Sequence, residues 1–135
     1  MKLLRIVLSA ALLLTASIAL AQTRQGDLVA DIPFAFVVAG RTLPPGHYIV
    51  SKLNDNLAIQ DRHNHTVFVP AHPAQRPENQ SASKLVFHCY GDTHFLSEVW
   101  VGSNSIGRAL FPSRVERKLA ESSKEKEIAV VRIEK

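Results

Sequence analysis

A chain of 135 residues, 46% hydrophobic and 21% charged, has the size and balance of a single globular domain. Its 16 Lys and Arg against 12 Asp and Glu leave a formal net charge of +4, too little to demand nucleic acid as a partner. Length and composition exclude a large multidomain enzyme and a polytopic membrane protein. The single cysteine excludes a disulfide scaffold.

Residues 1–21 read as a secretory signal peptide. Lys2 and Arg5 make a positive start, Ile6 to Leu20 is an uncharged apolar run, and Ala19-Leu20-Ala21 has the small-x-small pattern of a cleavage site. The run is shorter than the ~20 residues that span a bilayer, so cleavage between Ala21 and Gln22 is the expectation. The mature domain, 22–135, then has 114 residues with 14 basic against 12 acidic side chains. No later run reaches membrane length, so no transmembrane segment is expected after the signal.

Short strands between turns follow. In Ile32-Pro33-Phe34-Ala35-Phe36-Val37-Val38, residues 32, 34, 36 and 38 fall on one side of an extended chain, with Pro33 suited to a first or edge strand. Leu43-Pro44-Pro45-Gly46 is a turn, because proline presets φ and glycine accepts the left-handed region. Strands are predicted over His47–Leu53, Leu57–Gln60 and Thr66–Val69, with polar turns at 54–56 and 61–65. Residues 71–83, holding Pro73 and Pro77, read as the longest loop.

Lys84 to Tyr90 alternates, Leu85, Phe87 and Cys89 against Val86, His88 and Tyr90, and Gly91-Asp92 forms a hairpin tip. Thr93 to Val101 returns with Phe95, Val99 and Val101 on one face and Leu96 and Trp100 on the other; apolar residues on both faces predict a strand covered on both sides or a barrel wall beside a second layer. Residues 102–107 read as a loop. Ser113-x-x-Glu116 has capping-box spacing and opens a helix over 114–126, with a thin stripe of Val115, Leu119 and Ala120. Ile128 to Ile133 closes the chain as a strand, expected to pair with an edge of the main sheet or otherwise to add to a partner's sheet. The pattern predicts a mainly β fold: a small antiparallel sandwich or barrel with one late C-terminal helix.

Few residues carry a chemical signal. Cys89 reads as a small buried hydrophobe, although His94 could face it across the hairpin as a base. His63-x-His65 supplies half of a zinc site but lies in a polar turn without further ligand spacing, so no metal residue is assigned. Gly102-x-x-x-x-Gly107 lacks the Lys-Ser/Thr of a phosphate loop. Glu98 is the one carboxylate in an otherwise apolar strand, with Lys84 or Arg108 as its expected cross-strand partner. Trp100, Tyr90 and Tyr48 suit a core better than a sugar-stacking surface. The mixed Lys and Glu of residues 108–135 favour solvent over phosphate, and no catalytic or cofactor-binding residue is assigned.

Two stretches carry a resemblance. Ile32-Pro33-Phe34-x-Phe36-Val37-Val38 runs into Thr42-Leu43-Pro44-Pro45-Gly46-x-Tyr48, and Lys84-Leu85-Val86-Phe87-His88-x-Tyr90-Gly91-Asp92 runs into Phe95-Leu96-Ser97-Glu98-Val99-Trp100. Together they resemble a group of small exported bacterial proteins of unassigned function. The Leu-Pro-Pro-Gly-x-Tyr-x-Val turn and strand is also similar to those of prealbumin-like surface β-sandwiches. The resemblance implies a secreted or periplasmic protein, and neither likeness implies a catalytic residue. The expectation is a non-enzymatic binding or scaffolding domain of the bacterial envelope with a protein or other envelope partner. A small hydrolase using Glu98 or a histidine, or a carrier of metal or a small ligand, is the alternative.

Overall fold

The computed structural model describes residues 27–75, 82–102, 106–122 and 126–133. The predicted signal peptide and its Ala21–Gln22 cleavage point lie outside these residues, as do the middle of the long loop and the end of the predicted helix. Among the described residues there are ten strands and one helix: β1 Leu28–Ile32, β2 Phe36–Val38, β3 Arg41–Leu43, β4 Gly46–Leu53, β5 Asn56–Gln60, β6 Thr66–Gln75, β7 Lys84–Tyr90, β8 Thr93–Trp100, β9 Ile106–Leu110, α1 Arg114–Ser122 and β10 Glu127–Arg132. The fold is mainly β, and its sheet does not close into a barrel.

Two layers share strand β6. Its first half, Thr66–Pro70, pairs with β5 in the order β1-β4-β5-β6. Its second half, Ala71–Gln75, pairs with β9 and so joins the layer of β9, β8, β7 and β10. Residues 71–75 are therefore strand, where the prolines had suggested loop. Pro70 and Pro73 cannot donate to a ladder, and each half of β6 has its register partner in a different neighbour, so the missing donors are tolerated as in an edge strand. Ile106–Leu110 likewise forms a strand that the two glycines had hidden. Near the N-terminus the chain changes layers at residues 33–35, placing β1 against β4 and β2 against β3 and β8. Ile32, Phe36 and Val38 are nevertheless all buried in one core, with Phe34 packed on it.

Ladder and core agree with the alternation. Leu28, Ala30 and Ile32 of β1 and Tyr48 and Val50 of β4 meet Leu85, Phe87 and Cys89 of β7 between the layers. Phe87 is the hub, with Phe34 edge-on at 4.9 Å and Phe36 at 5.6 Å between ring centroids. Burying such a side chain fully is worth roughly 1.5–3 kcal/mol. The Tyr48 hydroxyl donates to the Pro44 carbonyl, tying the Leu-Pro-Pro-Gly turn to the strand it opens.

Strand β8 departs from simple alternation. Glu98 sits opposite Val86 but Leu96 sits opposite Phe87, leaving Ser97 as the extra residue of a β-bulge. Leu96 and Val99 thus face the core together, while Phe95, Glu98 and Trp100 share the other face with Val86, His88 and Tyr90. The expected grouping of Phe95 with Val99, and of Leu96 with Trp100, is corrected by that one residue. The double-sided character holds: Phe95, Trp100, Val86 and Tyr90 are buried outside the central cluster, forming a second apolar layer.

Strand β10 pairs with β7 from Glu127↔Cys89 to Arg132↔Lys84, so the last strand joins the sheet as its periodicity predicts. Ala129, Val131 and Ile133 pack on the core, whereas Ile128 and Val130 stay exposed on the outer face. The helix spans Arg114–Ser122 and is capped by Ser113, whose Oγ accepts from the Glu116 N–H at 3.1 Å. Its buried residue is Glu116 with Leu119 half-buried; Val115 and Ala120 of the expected stripe are exposed.

Trp100 fills the space beside β9 so closely that a Cβ on Gly107 would fall within 2.7 Å of three indole carbons. We expect Gly107→Ala to cost about 1–3 kcal/mol by overpacking, read as a lower melting temperature by circular dichroism. Unchanged melting would mean that the indole moves aside freely.

Candidate functional site

The bulge turns the Ser97 side chain to the outer face, beside His88 of β7. Ser97 Oγ lies 3.1 Å from His88 Nε2, and His88 Nδ1 lies 3.3 Å from Glu116 Oε1 of α1. A carboxylate only accepts, so in the neutral imidazole Nδ1 carries the proton and Nε2 accepts from the Ser97 hydroxyl. Glu116 is 7% exposed and His88 half-buried, so this chain of three polar groups lies largely under the helix. Buried polar groups are costly unless paired, and here the pairing bolts α1 to the sheet. The capping-box spacing had suggested a Glu116 side chain turned back to its own helix start; instead it reaches across to His88.

A hollow of about 190 Å³ opens at the same end of the molecule. It lies at a fork in the sheet. One edge of β8 is shared, by β2 in parallel at Phe95 and by β9 antiparallel at Glu98 and Val99, so β2 and β9 diverge from it. Val37 and Val38 of β2, Val69 of β6, Phe95 of β8 and Leu110 of β9 line the hollow, with Glu116 as its carboxylate. Phe111 forms part of the wall while remaining 63% exposed, and its ring lies 4.8 Å from that of His72. The β2–β3 turn, Ala39-Gly40, closes one end with both residues at positive φ, which costs an alanine more than a glycine. His88 and Ser97 are not among the lining residues: of the three relay groups, only Glu116 meets the hollow.

The residues singled out from sequence go elsewhere. Cys89 and His94 are cross-strand neighbours, but Cys89 is buried in the core and His94 stacks on Phe34 with centroids 4.1 Å apart. Burial pushes the Cys89 thiol up, and the Glu127 carboxylate adds to this against the Ala129 backbone hydrogen bond, so the nucleophilic thiolate is disfavoured. His94 Nδ1 is buried without a hydrogen-bond partner. Glu98 accepts from the indole N–H of Trp100 at 2.8 Å, while Lys84 stands opposite Trp100 and Arg108 opposite Val99. Trp100, Tyr90 and Tyr48 are all buried and offer no stacking surface. Gly102 lies in a turn and Gly107 within β9, and residues 103–105 between them lie outside the described residues.

His63 and His65 occupy an Asp-organised turn. Asp61 Oδ1 accepts from the backbone N–H groups of His63 at 2.8 Å and His65 at 2.9 Å, and Oδ2 lies 3.1 Å from His65 Nδ1. Among the described residues no three His, Cys, Asp or Glu side chains gather as a metal site would require, and no helix is long and apolar enough to cross a membrane. Sequence reasoning missed Ser97 and Glu116 as partners of His88. The signal for Glu116 was present as an acid on a weakly apolar helix, but only the bulge brings Ser97 to the same face.

Burial pushes the Asp61 carboxyl up, but the N–H groups of His65 and His63 and the His65 imidazole more than offset this and hold it below its ordinary value. A carboxyl depressed in the folded state stabilises above its unfolded value, and that contribution is lost as pH falls through the folded one. NMR titration is expected to show Asp61 protonating below the ordinary carboxyl value of 3.8, with the His63 and His65 amides moving at the same midpoint. Amides that ignore the carboxyl's midpoint would contradict the turn.

Compared with protein-family models, with curated proteins and with solved structures, the chain finds no match.

Proposed function

We propose that the chain is an exported, non-enzymatic β-sandwich domain of the bacterial envelope or exterior that binds a partner or ligand. Export rests on the basic start, apolar run and Ala19-Leu20-Ala21 of the first 21 residues, and the bacterial setting rests on the resemblance of the two quoted stretches. The observation that carries binding is the apolar hollow at the fork, a concave surface where two strands part.

A hydrolase is the second reading, favoured by the order of Ser97, His88 and Glu116, which is that of a serine, its base and an orienting acid. Two features weigh against it. A nucleophile must face its substrate, and the hollow is met by the acid end of the relay rather than by the serine. All three groups are also accounted for by docking α1, since each satisfies a neighbour that burial would otherwise leave unpaired.

Incubation of the secreted protein with a fluorophosphonate probe and a panel of esterase, glycosidase and peptidase substrates separates the readings. The proposal expects Ser97 to stay unmodified and no turnover above buffer, with the secreted chain beginning at Gln22. Stoichiometric labelling of Ser97, or turnover lost in Ser97→Ala, would establish the hydrolase; an intact Met1 on secreted material would remove the signal-peptide cleavage.

A further inference from the structure

The chemistry of the hollow is lopsided. Its walls are mostly valine, leucine, phenylalanine and proline, with the Ser113 that caps α1 at its border, and its one ionisable group is a carboxylate that is 7% exposed. A carboxylate in such surroundings is held at a cost unless donors surround it. One oxygen of Glu116 has His88 Nδ1 at 3.3 Å, a long contact for a charge-assisted hydrogen bond. What complements this surface is an apolar body that carries a positive hydrogen-bond donor. A carboxylic acid would meet like charge, and a neutral hydrocarbon would cover the Glu116 oxygen that His88 does not reach without supplying a donor.

We propose that the hollow between β2, β9 and the start of α1 is a binding site for a small primary amine with an apolar body, its ammonium on the Glu116 carboxylate. This deepens the reading of the chain as a binding domain and depends on it. Size supports a small ligand. An apolar cavity of about 150 Å³ accepts a benzene ring, so a hollow of about 190 Å³ takes one ring or a short chain. Val37, Val38 and Leu110 would enclose the body, and the exposed ring of Phe111 would lie along it at the mouth. The site also gives Glu116 a role beside docking: α1 has few apolar residues, and its buried residue is an acid at the border of the hollow.

The test uses three probes of nearly equal shape: phenethylamine, 2-phenylethanol and 3-phenylpropanoate. Each is titrated into the isotope-labelled protein and followed by amide chemical shifts. The amine is expected to bind saturably, with shifts centred on residues 37–40, 110, 111 and 116, and about tenfold more tightly than the alcohol. The acid is expected not to saturate. Glu116→Gln should bring the amine down to the level of the alcohol. Because that change can also loosen α1, Val37→Trp serves as a second variant: it leaves the carboxylate in place, fills the hollow and should abolish binding of both probes in a spectrum that is otherwise folded. Equal affinities for amine and alcohol, amine shifts centred elsewhere, or no saturation at millimolar amine would each overturn the site. None of these outcomes labels Ser97 or yields turnover, so failure of the amine site is distinguishable from failure of the non-enzymatic reading.

Discussion

One inserted residue in β8 organises much of this molecule. Ser97 has no opposite number in β7, and the slip it introduces lets Leu96 and Val99, three residues apart, both enter the core. A strict two-residue period would send one of them outward. The same slip gathers Phe95, Glu98 and Trp100 on the outer face and creates a second apolar layer that needs cover. Helix α1 supplies part of it, held by Glu116 to His88 and through His88 to Ser97 itself. The bulge thus produces both the uncovered face and one of the groups that fastens its lid.

The fork follows from the same strand. With β7 along one edge of β8, the other edge is divided between β2 at Phe95 and β9 at Glu98 and Val99, either side of the bulge. Bulges bend a strand and raise its local twist, and the edge of β8 away from β7 changes neighbour at that point. Where two neighbours part, a groove is left, and the side chains along it are those of a sheet interior. An apolar hollow at this place is therefore a by-product of topology, and the carboxylate at its border is what gives it chemical character.

Much of the fold was legible because it depends on local rules. Asn54-Asp55, Asp61 and Gly91-Asp92 mark turns that lie where their chemistry puts them, Pro44-Pro45 separates β3 from β4 although Gly46 opens β4 without the left-handed φ expected of it, and β7 matches its alternation from Lys84 to Tyr90. What was hidden depends on contacts distant in sequence. Pro70 and Pro73 argue locally against a strand, and only the hand-over from β5 to β9 shows how β6 accommodates them. Gly107 looks like loop chemistry but is required by the indole of Trp100 in the adjacent strand. The candidate site was less legible still. His88 was visible as a polar residue on an alternating strand, but its partners stand 9 and 28 residues away and meet it only through the bulge and the helix crossing.

The most direct test is thermal unfolding of a variant with Ser97 deleted, measured beside Ser97→Ala. Deletion removes the slip, forcing either Leu96 or the Val99 side of β8 onto the wrong face, and the account predicts loss of the cooperative transition. Ser97→Ala keeps the slip and loses one hydrogen bond, so it should melt cooperatively with a penalty of about 1 kcal/mol. A deletion variant that unfolds cooperatively at the parent's temperature would contradict the claim that this bulge sets the two faces of the sheet.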